Sequence, residues 1–473
     1  MQHKSEYIWA LAGRFLPLFV YLVTTMILAR YLSPDDFGMI GVLSIFFMVA
    51  NTLMDAGLGG SLVKEQTLSK IDCSTIFVFN ITVSLVLYLL LFAFADTIEF
   101  YFDTYGLAMV VRILCLIFII NAWGLVPRSL LTRRLEFRTM TIINIAGVVG
   151  AAVTSVVLAI FHYGVYALVA YQLVNAAITV LLSIRASRFA VAFRFSVSSL
   201  RRLLPFGVFT TLTTTIDTIY ENLITFLFGK YLNMQQAGFL SQAKRLEEVP
   251  SQSVAQTISN VAFPVLAQLR GDGVRFAQEC CNTFKTVLLL TLPLLFTMSV
   301  FSEPIVWLVY GEQWRPAAPY LSLLIIAAVF HVAETLNRVF IKSTTQVAQL
   351  LNYTLVKRAL GIAVIFAFLF IETRLVLWGY IVSTFIGFVL NVRLLSQVSG
   401  ITVWKQFGLF AKVLLPSVVF YLVMCAFKSV CDVLYIQIIV AAFLLSAYFL
   451  GVLRLYDIRL YEWTLKAIHR NHA

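Results

Sequence analysis

Apolar runs of about twenty residues follow one another along this chain, and that is the length a helix needs to cross a bilayer core. No water reaches the backbone there, so each run must close its own hydrogen bonds, as a helix does. The runs fall near residues 8–28, 39–58, 74–95, 107–126, 140–160, 164–184, 204–228, 237–268, 286–301, 317–337, 352–371, 375–395, 409–427 and 434–453. They predict an all-α integral membrane protein with fourteen transmembrane helices, the eighth run being the least apolar. Composition agrees, since 60% of the 473 residues are hydrophobic and 12% are charged, against roughly a quarter charged in soluble domains. A water-soluble enzyme or binding module is excluded.

The chain also repeats itself. Arg30-Tyr31-Leu32-Ser33-Pro34-Asp35-Asp36-Phe37-Gly38 returns 200 positions later as Lys230-Tyr231-Leu232-Asn233-Met234-Gln235-Gln236-Ala237-Gly238, each copy ending one apolar run and opening the next. Pro127-Arg128-Ser129-Leu130-Leu131 aligns with Asn337-Arg338-Val339-Phe340-Ile341 at an offset of 210. This spacing predicts two copies of one membrane unit: a lobe over 1–195 with spans one to six and a lobe over 196–400 with spans seven to twelve. A segment over 401–473 then holds two more spans and a tail. Six spans per lobe keep both lobes in one orientation, giving parallel six-helix bundles related by a pseudo-two-fold along the membrane normal. Transporters are built from such repeats, with the substrate path between the halves.

Lys and Arg residues segregate between alternate connections. With the N-terminus in the cytoplasm, the inner connections hold Lys64 and Lys70, Arg128, Arg133 and Arg134, Arg338 and Lys342, and Lys357 and Arg358, among others. The outer connections hold only Arg30, Lys230, Arg315, Arg374 and Lys428. Positive loops resist translocation, so both termini are expected in the cytoplasm. The net charge of +12 is then a property of these loops, and no nucleic-acid partner is inferred. The six cysteines lack metal-ligand spacing and predict neither a disulfide nor a metal site. The first run carries Arg14 and leads into a structured turn, which reads as a retained anchor and not a cleaved signal.

Polar residues inside the runs are the candidate chemistry. In the eighth, Ser241, Arg245, Glu248, Gln252, Gln256 and Ser259 share a stripe about 60° wide at helical spacing. At bilayer depth such a stripe faces water or protein, because lipid exposure costs several kcal/mol per charge. In the seventh, Thr210, Thr214, Asp217, Glu221 and Thr225 form a similar face about 80° wide. By helical rise Asp217 and Arg245 are at comparable depth. Two readings stand, a permanent ion pair or a site where substrate or a coupling ion competes for one partner. Arg14 shares a face with Tyr21 and Thr25; it either greets an anionic head group or snorkels to the interface. Arg112 reads as a snorkeller. His331, Glu334 and Arg338 offer a protonatable cluster or an ordinary core. Ser33 and Pro34 with Asp35 and Asp36 read as a helix start better than as catalytic acids, and Asn233 keeps the cap in the second copy. Asp55 reads as serving the turn Gly57-Leu58-Gly59-Gly60.

The stretch Leu28 to Gly38, with Asp55-Ala56-Gly57-Leu58-Gly59, Pro127-Arg128-Ser129-Leu130-Leu131 and Phe263-Pro264-Val265-Leu266, resembles the Wzx-type oligosaccharide flippases of the MOP superfamily. The colanic-acid-exporter-like branch is the nearest in pattern, and the likeness runs over essentially the whole chain. The resemblance implies a V-shaped, non-enzymatic transporter of the bacterial inner membrane. Its cargo would be undecaprenyl-pyrophosphate-linked oligosaccharide repeat units, moved from the cytoplasmic to the periplasmic leaflet. Related lipid II flippases use an Arg-Asp pair in the first helix; Phe15 follows Arg14 here, which argues against a peptidoglycan precursor. A cationic residue of the eighth helix carries over as Arg245 or Lys244, and the stripe favours Arg245.

The expected mechanism is alternating access. Arg14, Tyr21, Arg245, Gln252 and Gln256 bind substrate, while Asp217, Glu221, Glu248 and Glu334 couple an ion or gate. No cofactor is implied beyond Na+ or H+ as a coupling ion. Partners would be the lipid-linked oligosaccharide, membrane lipids, and a polysaccharide polymerase and chain-length proteins. An inside-negative potential favours export of the pyrophosphate by roughly 2.3 kcal/mol per charge per 100 mV. The rival readings are a multidrug or cation antiporter of the same superfamily and a membrane glycosyltransferase or polymerase.

Overall fold

In the computed structural model, residues 2–65, 68–189, 193–269, 272–343, 347–430 and 434–455 are described, and among them the chain is helical, with no strand. The helices are α1 (Gln2–Tyr31), α2 (Pro34–Asp55), α3 (Leu58–Lys64), α4 (Lys70–Ala93), α5 (Ala95–Phe102), α6 (Leu107–Leu114), α7 (Leu116–Arg133), α8 (Phe137–Ile160) and α9 (Val165–Ser187). There follow α10 (Val197–Tyr231), α11 (Met234–Gln268), α12 (Gly273–Val300), α13 (Ser302–Tyr310), α14 (Ala318–Lys342), α15 (Val347–Ile371), α16 (Val376–Ser399), α17 (Val403–Val430) and α18 (Leu434–Leu455). Tighter turns at Glu312–Ala317 and Thr373–Leu375 lead into α14 and α16.

Ten helical stretches among the described residues are long and apolar enough to cross a membrane: 34–64, 70–93, 107–133, 137–160, 165–187, 273–300, 312–342, 353–371, 373–399 and 403–430. The chain is a multi-pass membrane protein. The runs read as spans one, seven, eight and fourteen are helical in α1, α10, α11 and α18 but are not among the ten. Exposed leucine and valine ladders show which faces meet lipid. On α4 Leu85, Val86, Leu89 and Leu90 are exposed, while Asn80 and Ser84 are buried on the other side. A helix that hides its polar groups and exposes its aliphatic ones suits a hydrocarbon solvent.

The chain divides into two compact units, Met1–Gln242 with Trp307–Arg315, and Ala243–Val306 with Pro316–Ala473. In the first, the repeated motif starts helices by the chemistry its residues suggest. Ser33 caps α2 in a capping box: its backbone N–H donates to Asp36 Oδ2 at 2.9 Å, and the Asp36 N–H donates to Ser33 Oγ at 3.3 Å. In the second copy the Gln236 N–H donates to Asn233 Oδ1 at 2.8 Å. These caps take up orphan donors of the first helical turn.

The two copies of the motif also meet each other. A Cβ at Gly38 would collide with the Met234 carbonyl oxygen, and one at Gly238 with the Pro34 carbonyl oxygen. The contact is reciprocal, and only residues without a side chain allow the backbones so close. One turn on, a Cβ at Gly41 would lie 3.0 Å from Ser241 Cβ and 3.2 Å from Thr225 Cγ2. Ser241 and Thr225 are therefore packed against α2 and do not face water, contrary to the expectation for the stripes to which they were assigned. Trp314 closes this region. It is fully buried, sets its ring edge-on to Phe37, and donates from Nε1 to the Ala29 carbonyl at 2.8 Å. Gln313 Nε2 donates to the same carbonyl at 2.7 Å and to Leu32 at 3.1 Å, satisfying acceptors left open at the end of α1.

In the second unit α14 packs on α16 and α12, α15 on α16, and α12 on α17. Val300, Phe301, Phe420 and Met424 form an apolar cluster there.

Candidate functional site

Four helices of the first unit enclose a cavity of about 640 Å³. That volume lies within the range of small-molecule sites, roughly 300–1,000 Å³. α3 supplies one wall because Leu58 and Leu62, one turn apart, bury into a core with Ile76, Phe77 and Val126. That anchoring turns Gly59, Gly60, Val63 and Lys64 toward the cavity. Arg133 fixes the far end of α3 by donating from Nη1 to the carbonyls of Leu62 at 3.0 Å and Glu65 at 2.5 Å. α7 contributes Asn121, Leu125, Arg128, Ser129 and Thr132, a single face at spacings of three and four. α2 adds Asn51, Met54 and Asp55, and α4 adds Asn80.

The rim and the floor of this cavity differ in chemistry. Asp55 and Lys64 at the rim are exposed. On the floor Asn80 is 1% exposed, its amide donating to the Ala122 carbonyl at 3.4 Å while Oδ1 has no partner. Arg128 Nε is likewise buried without an acceptor. Asn121 Nδ2 donates to Asn51 Oδ1 at 3.2 Å and ties α7 to α2. A buried donor or acceptor left unmade costs about 1–3 kcal/mol. Here two of them, of opposite kind, belong to residues that line one polar space. Asp55 does accept from the turn, the Gly59 N–H at 3.3 Å, as its position suggested, and it lines the cavity as well.

Among the described residues, none of those assigned to binding or coupling from the sequence lines this cavity. Arg14 lies in α1, and Gln252 and Gln256 in α11; their side chains, and that of Ser259, are outside the described residues. Tyr21 sets its ring against Tyr171 at 5.6 Å. Asp217 and Glu221 are half-buried on α10 and belong to the first unit. Arg245 and Glu248 are half-buried on α11 in the second unit, where Lys244 Nζ lies 3.8 Å from Glu248 Oε1. Glu247, adjacent to the stripe but off it, is buried. Arg112 is not a bare snorkeller: it pairs with Asp96 at 2.6 Å and lies over the Phe92 ring.

Glu334 has the most developed surroundings of the assigned residues. It is buried on α14 and pairs with Lys357 Nζ of α15 at 2.5 Å. Asn391 of α16 donates to the Glu334 carbonyl at 3.3 Å, and a Cβ at Gly387 would come within 2.9 Å of Glu334 Oε2. His331, Arg338 and Arg358 lie close enough to act on the carboxylate electrostatically. Lys357 and Arg358, counted from the sequence among cytoplasmic loop charges, are buried within α15, 4% and 2% exposed. Partnership with Glu334 explains how the Lys357 charge is tolerated inside. The sequence signal for this pair is weak, since a charge at the edge of an apolar run reads as the end of a span.

Comparison with known proteins comes down on one family. The family described as "Polysaccharide biosynthesis protein" matches residues 27–319. The succinoglycan biosynthesis transport protein ExoT of Rhizobium meliloti (strain 1021) is 30% identical over 312 residues, 64% of this chain and 62% of that one. The lipopolysaccharide biosynthesis protein WzxC of Escherichia coli (strain K12) is 26% identical over 323 residues, 68% of this chain and 66% of that one. The matched region thus spans less than two-thirds of the length of each relative. Among solved structures, the lipid II flippase MurJ in its inward closed conformation superposes with a TM-score of 0.75 at 16% identity, covering 95% of this chain and 98% of that one. At that identity the likeness establishes the fold.

Proposed function

Because the chain belongs to the polysaccharide biosynthesis protein family, we propose that it is a flippase, a transporter and not an enzyme. It moves undecaprenyl-pyrophosphate-linked oligosaccharide repeat units from the cytoplasmic to the periplasmic leaflet of a bacterial inner membrane, for surface polysaccharide synthesis. The observation that carries this reading is a cation- and amide-lined cavity set among membrane-length apolar helices. Polar surface buried among such helices is costly unless it meets water or a polar partner. The transport and flippase names of ExoT and MurJ support it.

The proposed architecture has fourteen spans with both termini in the cytoplasm. Two parallel six-helix bundles over 1–195 and 196–400 are followed by two further spans over 401–473. Alternating access moves the head group while the lipid tail stays in hydrocarbon. Arg14 and Arg245 attract the pyrophosphate at successive depths, Tyr21, Gln252 and Gln256 hydrate sugars, and Asp217, Glu221, Glu248 and Glu334 gate or couple. The membrane potential, or Na+ or H+ exchange, supplies the drive. A polysaccharide polymerase and chain-length proteins receive the product.

Deletion of the gene tests the proposal in cells. Lipid-linked oligosaccharide should accumulate and drug susceptibility stay unchanged, with neither Arg245→Ala nor Asp217→Ala restoring export. Drug sensitivity without accumulation would make the protein an antiporter. Full rescue by both variants would remove those two residues from the path.

A further inference from the structure

The cavity of the first unit has a chemistry more specific than a hydrated path, and its two unmatched groups say what it takes. Arg128 Nε is a charged donor without an acceptor, and Asn80 Oδ1 is an acceptor without a donor. A purely anionic ligand would satisfy the first and leave the second. A neutral saccharide would satisfy the second and leave the guanidinium uncompensated. A phosphorylated sugar answers both: phosphate oxygens accept from Arg128, for which the planar guanidinium fork is suited, and a ring hydroxyl donates to Asn80.

The rest of the lining fits that division. Asp55 and Lys64 at the exposed rim place one carboxylate and one cation where further hydroxyls and a second phosphate would lie. Leu125, Met54 and Val63 supply apolar surface for the C–H face of a sugar ring. Beside the rim, a Cβ at Gly59 would stand 2.8 Å from Asp55 Oδ1 and 3.3 Å from Ser129 Oγ, so α2, α3 and α7 pack closely there.

We propose that this cavity is a phosphosugar site, in which Arg128 holds the phosphate and Asn80 a hydroxyl of the first sugar. The assignment deepens the flippase reading and rests on it for the source of the ligand, the head group of the lipid-linked oligosaccharide. A soluble sugar phosphate has the same chemistry and is the alternative source.

The test uses the full-length protein in lipid nanodiscs and equilibrium binding of radiolabelled probes. These are a polyprenyl-pyrophosphate-linked disaccharide, polyprenyl pyrophosphate without sugar, and the disaccharide pyrophosphate without lipid. Arg128→Gln should weaken binding of the lipid-linked disaccharide about tenfold to a hundredfold, the scale of one charged hydrogen bond. Arg128→Lys should fall between, since it keeps the charge and loses the fork. Asn80→Leu should abolish the wild-type preference for the sugar-bearing lipid over polyprenyl pyrophosphate, a change that a merely structural amide would not produce. Should Arg128→Gln fail to yield monodisperse protein, the other two variants decide. Wild-type affinity and sugar preference in all three would overturn the assignment.

Leaflet transfer by the wild-type protein, measured in parallel, separates the two claims. Transfer with unaltered binding in the variants refutes the cavity site alone. Absence of transfer, with Arg128-dependent binding of the lipid-free disaccharide pyrophosphate, refutes the flippase reading and supports a soluble phosphosugar as ligand.

Discussion

Replacing Glu334 by Gln leaves the Lys357 ammonium in a place with almost no water, since the two side chains are 1% and 4% exposed. Breaking a buried ion pair by removing one partner costs about 3–5 kcal/mol, mostly as the penalty of the stranded charge. The surroundings push Glu334→Gln toward the upper end of that range. Arg338, Arg358 and His331 also act on this carboxylate, so its loss removes what holds several cations together. Lys357→Met should cost less, because the carboxylate keeps Arg338 and Arg358 nearby. The double variant Glu334→Gln/Lys357→Met should be more stable than Glu334→Gln alone, since one of the stranded charges is gone. Unfolding in mixed micelles titrated with SDS, followed by tryptophan fluorescence, gives the four free energies and the coupling between the positions. A Glu334→Gln loss below about 1 kcal/mol, the size of an exposed pair, would refute the inference that this pair is buried and dry.

Other expectations concern the first unit. Gly238→Ala should lower thermal stability by about 1–3 kcal/mol or more, because the new methyl meets the Pro34 carbonyl and neither backbone can yield without parting the helices; an unchanged melting temperature would deny the close crossing. Trp314→Ala should cost about 3–5 kcal/mol, and Trp314→Phe nearer 1 kcal/mol for the lost bond to Ala29; an unchanged stability in Trp314→Phe would show that the hydrogen bond contributes nothing. Ser33→Ala should cost about 1 kcal/mol through the lost cap, and Ser33→Asp should recover most of it in the same unfolding assay.

Much of the fold was legible because its determinants are local. Apolar run length set the helices, and Ser33 and Asn233 announced their caps; the close approach at Gly38 and Gly238 came only with the structure. The cavity was not legible in the same way. Asn51, Asn80, Asn121 and Arg128 come from three helices, and each of the three amides is the lone amide of its apolar run. Helical periodicity compares residues within one helix, so it found the stripes of α10 and α11 and passed over a site assembled across helices. Three lone amides in successive apolar runs were the available signal. Lys357 and Arg358 were misplaced for a related reason: hydropathy treats a charge as a boundary, and only packing shows that Glu334 lets the Lys357 charge stay inside.

Purified protein in sealed proteoliposomes, carrying a fluorescent polyprenyl-pyrophosphate-linked oligosaccharide in one leaflet, decides whether this chain is a flippase. A lectin or glycosidase confined to the opposite side reads the arrival of sugar. Protein-dependent transfer, faster with an inside-negative potential on the donor side and slowed in Arg128→Gln, is the predicted result. Transfer no faster than in protein-free liposomes, from a sample that is folded and correctly inserted, would contradict it.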